Sequence, residues 1–123
     1  MTRAGVIGLG DMGSGLAKNL LAHDIATTGF DLSEARMRAF EDLGGTPAHS
    51  VADVGRNADV AFVMVMNGDQ AKSVILGDDG LAATMPQGGV IILTATIKPI
   101  EAVEIGAALA GGNVFLIDSP VSG

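Results

Sequence analysis

Cysteine, tryptophan and tyrosine are absent from this chain, and only four phenylalanines and two histidines are present. Without cysteine there is no disulfide framework, no thiolate nucleophile and no cysteine-ligated metal, which fits a cytoplasmic protein. His23 and His49 have no partner at metal-ligand spacing, so no metal site is expected. Positive charge is scarce as well. Seven Lys and Arg stand against fourteen Asp and Glu, a net charge of −7. That balance excludes the basic footprint of a nucleic-acid binder. No apolar run approaches the roughly 20 residues a membrane-spanning helix needs. The first residues hold one arginine followed directly by a strand-like run, which is not the layout of a signal peptide. At 123 residues the chain suits one domain with a real core.

Glycine is abundant, with 18 residues, and the first cluster organises everything else. Ala4 to Ile7 reads as a short buried strand that turns on glycines into a helix carrying Met12, Leu16 and Leu20 on one face. Gly8, Gly10 and Gly13 have the G-x-G-x-x-G spacing of a dinucleotide-binding turn. The first permits the tight turn, the second lets a pyrophosphate approach the backbone, and the third lets helix and strand pack closely. The free amides of the helix start, from Gly8 through Leu9, Gly10, Met12 and Gly13, would then face the phosphates. Glycine turns with this spacing also occur without a ligand; the strand before, the helix after and the acidic residue downstream separate this one from them.

That acidic residue is Asp31, at the end of the next apolar run and about twenty residues on, where a ribose acceptor is expected. A 2′-phosphate would meet a like charge there, and Leu32 supplies no arginine to offset it, so NAD is favoured over NADP. Ser33 reads as the N-cap of a helix carrying Met37, Phe40 and Leu43, with Arg36 and Arg38 on a solvated face, stopped by Gly44-Gly45. A short strand is expected over 46–49 and a small helix over 50–56. Ala58 to Met66 reads as a strand covered on both faces, its methionines core filler. Asn67-Gly68-Asp69 turns the chain into another helix, broken at Gly77 to Gly80. Val90 to Leu93 reads as a strand, Pro99 as the first turn of a helix with Val103 and Leu109 inward and Glu101 and Glu104 in water, and Val114 to Ile117 as the last strand.

Alternation of strands and helices predicts an α/β Rossmann-type fold, a single-domain doubly wound parallel sheet of order 3-2-1-4-5-6. Function then belongs on the loops at the carboxyl ends of the strands. Met66 and Asn67 are candidates for the adenosine half of a cofactor, and Thr94 and Thr96 for the nicotinamide end. Lys98 is the only lysine on those loops, and its surroundings look exposed.

The set Gly8-Leu9-Gly10-x-Met12-Gly13, Asn19-Leu20-Leu21, Phe30-Asp31, Gly77-x-x-Gly80, Thr96-Ile97-x-Pro99 and Asp118-x-Pro120-Val121-Ser122-Gly123 resembles the β-hydroxyacid dehydrogenases. That family includes 3-hydroxyisobutyrate, tartronate semialdehyde and L-threonate enzymes and is related to 6-phosphogluconate dehydrogenase. The resemblance covers the whole chain. It implies oxidation of a small 3-hydroxy acid, or reduction of its semialdehyde, with NAD. By position it implies pyrophosphate at Gly8 to Gly13, ribose at Asp31, nicotinamide near Thr96 and the substrate carboxylate at Ser122 and Gly123. The family's catalytic lysine lies on the first helix of a second, helical domain, to which nothing in residues 1–123 corresponds; the intact enzyme is expected to be a homo-oligomer. Ala95 stands where many members have serine, and Asn67 where many have proline, the latter a feature of the L-threonate branch. Two alternatives stay open: a free-standing NAD(H)-binding module without catalysis, and an imine-reductase-like relative, against which Asp31 counts.

Overall fold

The computed structural model describes residues 2–94 and 97–119. β1 (Ala4–Ile7) is buried along its whole length and leads into α1 (Asp11–Ala22). β2 (Thr27–Phe30), α2 (Glu34–Asp42), β3 (Thr46–Pro47) and α3 (Val51–Arg56) complete the first half. The second half runs β4 (Val60–Val63), α4 (Gly68–Leu76), α5 (Leu81–Thr84), β5 (Gly89–Leu93), α6 (Pro99–Leu109) and β6 (Val114–Asp118). All strand pairs are parallel, in the order β3-β2-β1-β4-β5-β6, as the alternating pattern predicts.

Register places the site. Ile7 lies level with Phe30 on one side and Val63 on the other, and Val63 is level with Leu93. The loops after β1, β2, β4 and β5 therefore leave the sheet along one line, where the strand order reverses direction. On one face, Val6, Leu9, Ala17 and Phe40 pack beneath α1 and α2. On the other, Ile7, Ala61, Val63, Ile91 and Leu93 pack with Ile75 of α4, Leu81 of α5 and Ile105 of α6. Phe40 lies against Gly29 and Gly45, where any side chain would run into its ring.

Several elements differ from expectation for local reasons. β4 is four residues, not nine, because the ladder has partners only over that length. At its start, the amides of Asp59 and Val60 both go to the Arg3 carbonyl; after it, Met64 N–H bonds the Ile7 carbonyl just as β1 turns away. Its burial also alternates, with Val60 and Phe62 only half-covered, so it is not enclosed on both faces. Met66 is 85 % exposed and is no core filler, while Met64 packs partly under α1 and α2. β3 is reduced to Thr46–Pro47. α5 was hidden in the sequence by its single turn. Val103 faces out, not in, and Glu101 folds back to accept the Lys98 amide at 2.9 Å.

Candidate functional site

The glycine turn is fixed by what surrounds it. Gly8 has φ +95°, a conformation other residues adopt only under strain, and a Cβ there would collide with the Met64 carbonyl. A Cβ on Gly13 would collide with the Gly8 carbonyl, so α1 can sit this close to β1 only with glycine there. Gly10 is different. Its Cβ would meet nothing nearer than the Arg36 guanidinium, at 3.8 Å, so the fold itself does not demand glycine at that point. Close approach of a ligand backbone is what remains to explain it.

α1 has no side-chain cap, whereas α2, α3 and α4 close their first turns through Ser33, Ser50 and Asn67 at 3.3, 3.1 and 2.9 Å. The first bond into α1 runs from Ser14 N–H to the Gly10 carbonyl at 2.8 Å. The amides of Gly10, Asp11, Met12 and Gly13 have no acceptor among the described residues. They form a donor cluster at the positive end of the helix dipole. Leu9 serves the loop differently: its side chain is buried in the core, its amide donates to Asp31, and its carbonyl accepts from Ser14 Oγ at 3.1 Å. Met12 is half-exposed at the helix start.

Asp31 joins two loops. One carboxylate oxygen accepts from Leu9 N–H and the other from Ser33 N–H, both at 2.8 Å, and the side chain is only 10 % exposed. A carboxylate has about four acceptor positions, so two remain for a ligand. Beside it opens a groove of about 790 Å³, bounded by Gly8, Gly10, Asp31, Leu32 and Arg36 on one side and by Val51, Val65, Met66 and Val74 on the other. The walls are mostly apolar, and among the described residues Asp31 and Arg36 are the charged ones that line it. Such a lining suits an adenine ring and a ribose.

Met66 lies at the far lip, where its amide donates to Gln70 Oε1, whereas Asn67, whose Oδ1 caps α4, does not line this groove. Thr94 donates its hydroxyl to the Val63 carbonyl at 3.0 Å, which ties it to the sheet. Thr96, Ser122 and Gly123 lie outside the described residues. A separate, shallower depression of about 430 Å³ is formed by Asn67, Gly68, Asp69, Ile97, Lys98 and Glu101, with Lys98 exposed. His23 and His49 are exposed away from both. Among the described residues no cluster of His, Asp and Glu could hold a metal ion, and no helix is long and apolar enough to cross a membrane.

Arg36 is exposed, as the sequence suggests, but its pairing with Asp31 is not foreseen there. It stands in the first turn of α2, where side chains lean back toward the helix start. That lean carries its guanidinium to 3.6 Å from Asp31 and over Gly10. The offset from the Ser33 cap was the available signal.

A donor cluster at a helix start, an acidic residue ending β2 and a groove at the reversal of strand order define a dinucleotide-binding α/β domain. Comparison narrows that class. Residues 3–123 match the family described as the NAD binding domain of 6-phosphogluconate dehydrogenase, and the chain belongs to that family. It is 40% identical over 119 residues to L-threonate dehydrogenase of Cupriavidus necator, covering 97% of this chain and 40% of the relative. The crystal structure of 3-hydroxyisobutyrate dehydrogenase from Salmonella typhimurium superposes with a TM-score of 0.92 at 32% identity, over 100% of this chain and 43% of that one. Psf3, solved with NADP+ and 2-OPP, superposes with a TM-score of 0.88 at 29% identity, over 98% and 43%. The chain thus spans about two fifths of the length of these proteins.

Proposed function

We propose that this chain holds NAD in the groove beside Asp31 and is the cofactor domain of a dehydrogenase that oxidises a small 3-hydroxy acid or reduces its semialdehyde. The observation that carries the reading is the pairing of uncapped amides at Gly10 to Gly13 with a fixed acceptor at Asp31 across one groove. The amides would hold the pyrophosphate, and the free acceptor positions of Asp31 the ribose hydroxyls. Met66 would border the adenosine. Thr96 would lie toward the nicotinamide, and Ser122 and Gly123 toward the substrate carboxylate. When bound, NAD accepts the hydride; the chain's own residues bind and orient it.

Removal of the hydroxyl proton needs a base within hydrogen-bond reach, which contributes about 10²–10⁴-fold. Lys98 is exposed at the depression that Asp69 and Glu101 also line, outside the groove beside Asp31. We assign that base to a helical domain such as the relatives' additional length would supply, in a cytoplasmic homo-oligomer. The L-threonate enzyme's identity to this chain favours a sugar acid as substrate.

The test follows NADH formation from L-threonate, 3-hydroxyisobutyrate and glycerate. The chain alone is compared with a chimera carrying the remainder of the Cupriavidus L-threonate dehydrogenase after Gly123. Turnover by the chimera and none by the chain supports the reading. Turnover by the chain at the chimera's rate would refute the assignment of the base and point to Lys98.

A further inference from the structure

We propose that Met66 is a reversible oxidation site, at which sulfoxide formation by hydrogen peroxide loosens the hold of the groove on its dinucleotide. The inference rests on the dinucleotide reading of the groove and adds a control over its occupancy.

With no cysteine in the chain, methionine supplies all of its sulfur. Among the described residues, most of that sulfur gathers at one place. Met64 and Met66 line the groove, Met37 Sδ accepts the Asp31 amide at 3.2 Å, and Met12 stands at the start of α1 beside the free amides. Met85 lies apart, buried in the core.

These side chains are not equally open to attack. Met66 is 85 % exposed and Met12 53 %. Met64 packs partly beneath α1 and α2, its sulfur 3.7 Å from the point a Gly13 Cβ would occupy. Met37 is likewise half-buried, and the Asp31 amide engages its sulfur. Among the described methionines, Met66 alone joins high exposure to a place in the groove wall. Its main chain is held there, because its amide donates to Gln70 Oε1 at 2.8 Å.

Oxidation transfers one oxygen atom. The Met66 Sδ lone pair attacks a peroxide oxygen, and an S–O bond forms as the O–O bond breaks. The proton of the transferred hydroxyl passes to the departing hydroxide, giving water. Sulfur is oxidised by two electrons and peroxide is reduced by two. An apolar, flexible side chain thereby becomes a polar one with a strong acceptor oxygen. Val51, Val65 and Val74 of the same wall offer that oxygen no donor. A ligand face closing over it must strip its water, which costs affinity. Methionine sulfoxide reductases reverse the change, the oxygen leaving as water while two thiols become a disulfide.

The experiment treats the purified chain with hydrogen peroxide, maps sulfoxide by peptide mass spectrometry and measures NAD+ affinity by calorimetry. Melting temperature checks that the protein stays folded. NAD+ is the ligand because, unlike NADH, it has no hydride to give the oxidant. The proteins are wild type, Met66→Leu and Met12→Leu, each compared with itself before and after treatment. Met66 should be oxidised ahead of Met37, Met64 and Met85, and saturating NAD+ should slow its oxidation without affecting Met85. Oxidised wild type should bind NAD+ about tenfold more weakly at unchanged melting temperature, the effect of one polar group set against an apolar contact. Treatment with the two stereospecific sulfoxide reductases should restore the affinity. Met66→Leu should keep its own starting affinity through peroxide, whereas Met12→Leu should lose as much as wild type. If Met66 is oxidised with affinity unchanged, or Met66→Leu loses affinity as wild type does, the proposal is wrong while the cofactor reading stands. Oxidation of Met66 no faster than that of Met64 overturns it as well. If NAD+ does not bind the folded, untreated chain, the cofactor reading fails and this proposal with it.

Discussion

Two depressions open at the carboxyl ends of the strands, and they are built in opposite ways. The groove beside β1 is set by backbone collisions and main-chain bonds: Gly8 against Met64, Gly13 against Gly8, Asp31 between the amides of Leu9 and Ser33. The depression beside α6 is set by surface side chains. Lys98 stands in solvent there, its side chain without a hydrogen bond among the described residues, and Glu101 lies over Gly68. A ligand entering the first meets groups already held in place, so little ordering cost falls on binding. A ligand entering the second would have to fix long, mobile side chains itself. Cofactor recognition is thus built into the polypeptide path, whereas the described residues do not form a comparably ordered centre for proton transfer.

Substitution at Gly13 should break the first region outright. Gly13→Ala drives a methyl into the Gly8 carbonyl, and overpacking of this kind costs about 1–3 kcal/mol. Denaturant unfolding should show that loss, and calorimetry should find NADH binding gone, since α1 must move away from the loop. Asp31→Ala comes next. It should weaken NADH binding by about 1.5–3 kcal/mol, the range for charge-assisted bonds, and discrimination against NADPH should fall with it.

Gly10→Ala sharpens the comparison. No protein atom opposes the added methyl closer than 3.8 Å, so stability should change by less than about 1 kcal/mol. NADH affinity should nevertheless fall by about tenfold, or about 1.4 kcal/mol, because the methyl occupies the phosphate's approach. Equal losses at Gly10 and Gly13 would erase the distinction between fold-imposed and ligand-imposed glycines. For Lys98→Ala the account expects under about 0.5 kcal/mol in stability and little change in NADH affinity. A large loss of binding there would show the second region to be part of the cofactor site.

Another small effect lies at the base of the sheet. Asp59 accepts from the Arg3 guanidinium and from the Arg3 amide at 2.8 Å, and these bonds hold its carboxyl below the ordinary value of 3.8. A depressed folded-state pKa means the contribution is complete above the unfolded value and is lost as pH falls below it. The pair is more than one third exposed, so solvent screening limits it to under about 1 kcal/mol. Asp59→Asn should therefore reduce stability slightly at neutral pH and flatten its decline below about pH 4, far from either depression.

The order of strands, the three glycines, the Ser33 cap and Asp31 could all be read from the chain, because each is a local signal: spacing, alternation, or a residue type at an element's end. Gly8 and Gly13 behave as the spacing implies, and for reasons the spacing encodes. What escaped depends on contacts between distant segments. The ends of β4 are set by Arg3 and Ile7 on another strand, not by the apolar run that continues through Met66. Val103 and Leu109 are alike in hydrophobicity, and only the packing of α6 on the sheet separates exposed from buried. The pairing of Arg36 with Asp31 escaped for a third reason. The arginine's polarity suits water equally well, and only the turn of α2 beside the glycine loop brings it to Asp31.

The central claim is that the glycine loop and Asp31 form a working dinucleotide site in this chain. Titration of NADH into the purified protein, followed by heat and by melting temperature, tests it most directly. The account predicts one saturable site and a rise in melting temperature with cofactor concentration, as any ligand that binds only the folded state must give. No heat and no shift at millimolar NADH, from protein shown to be folded, would contradict it.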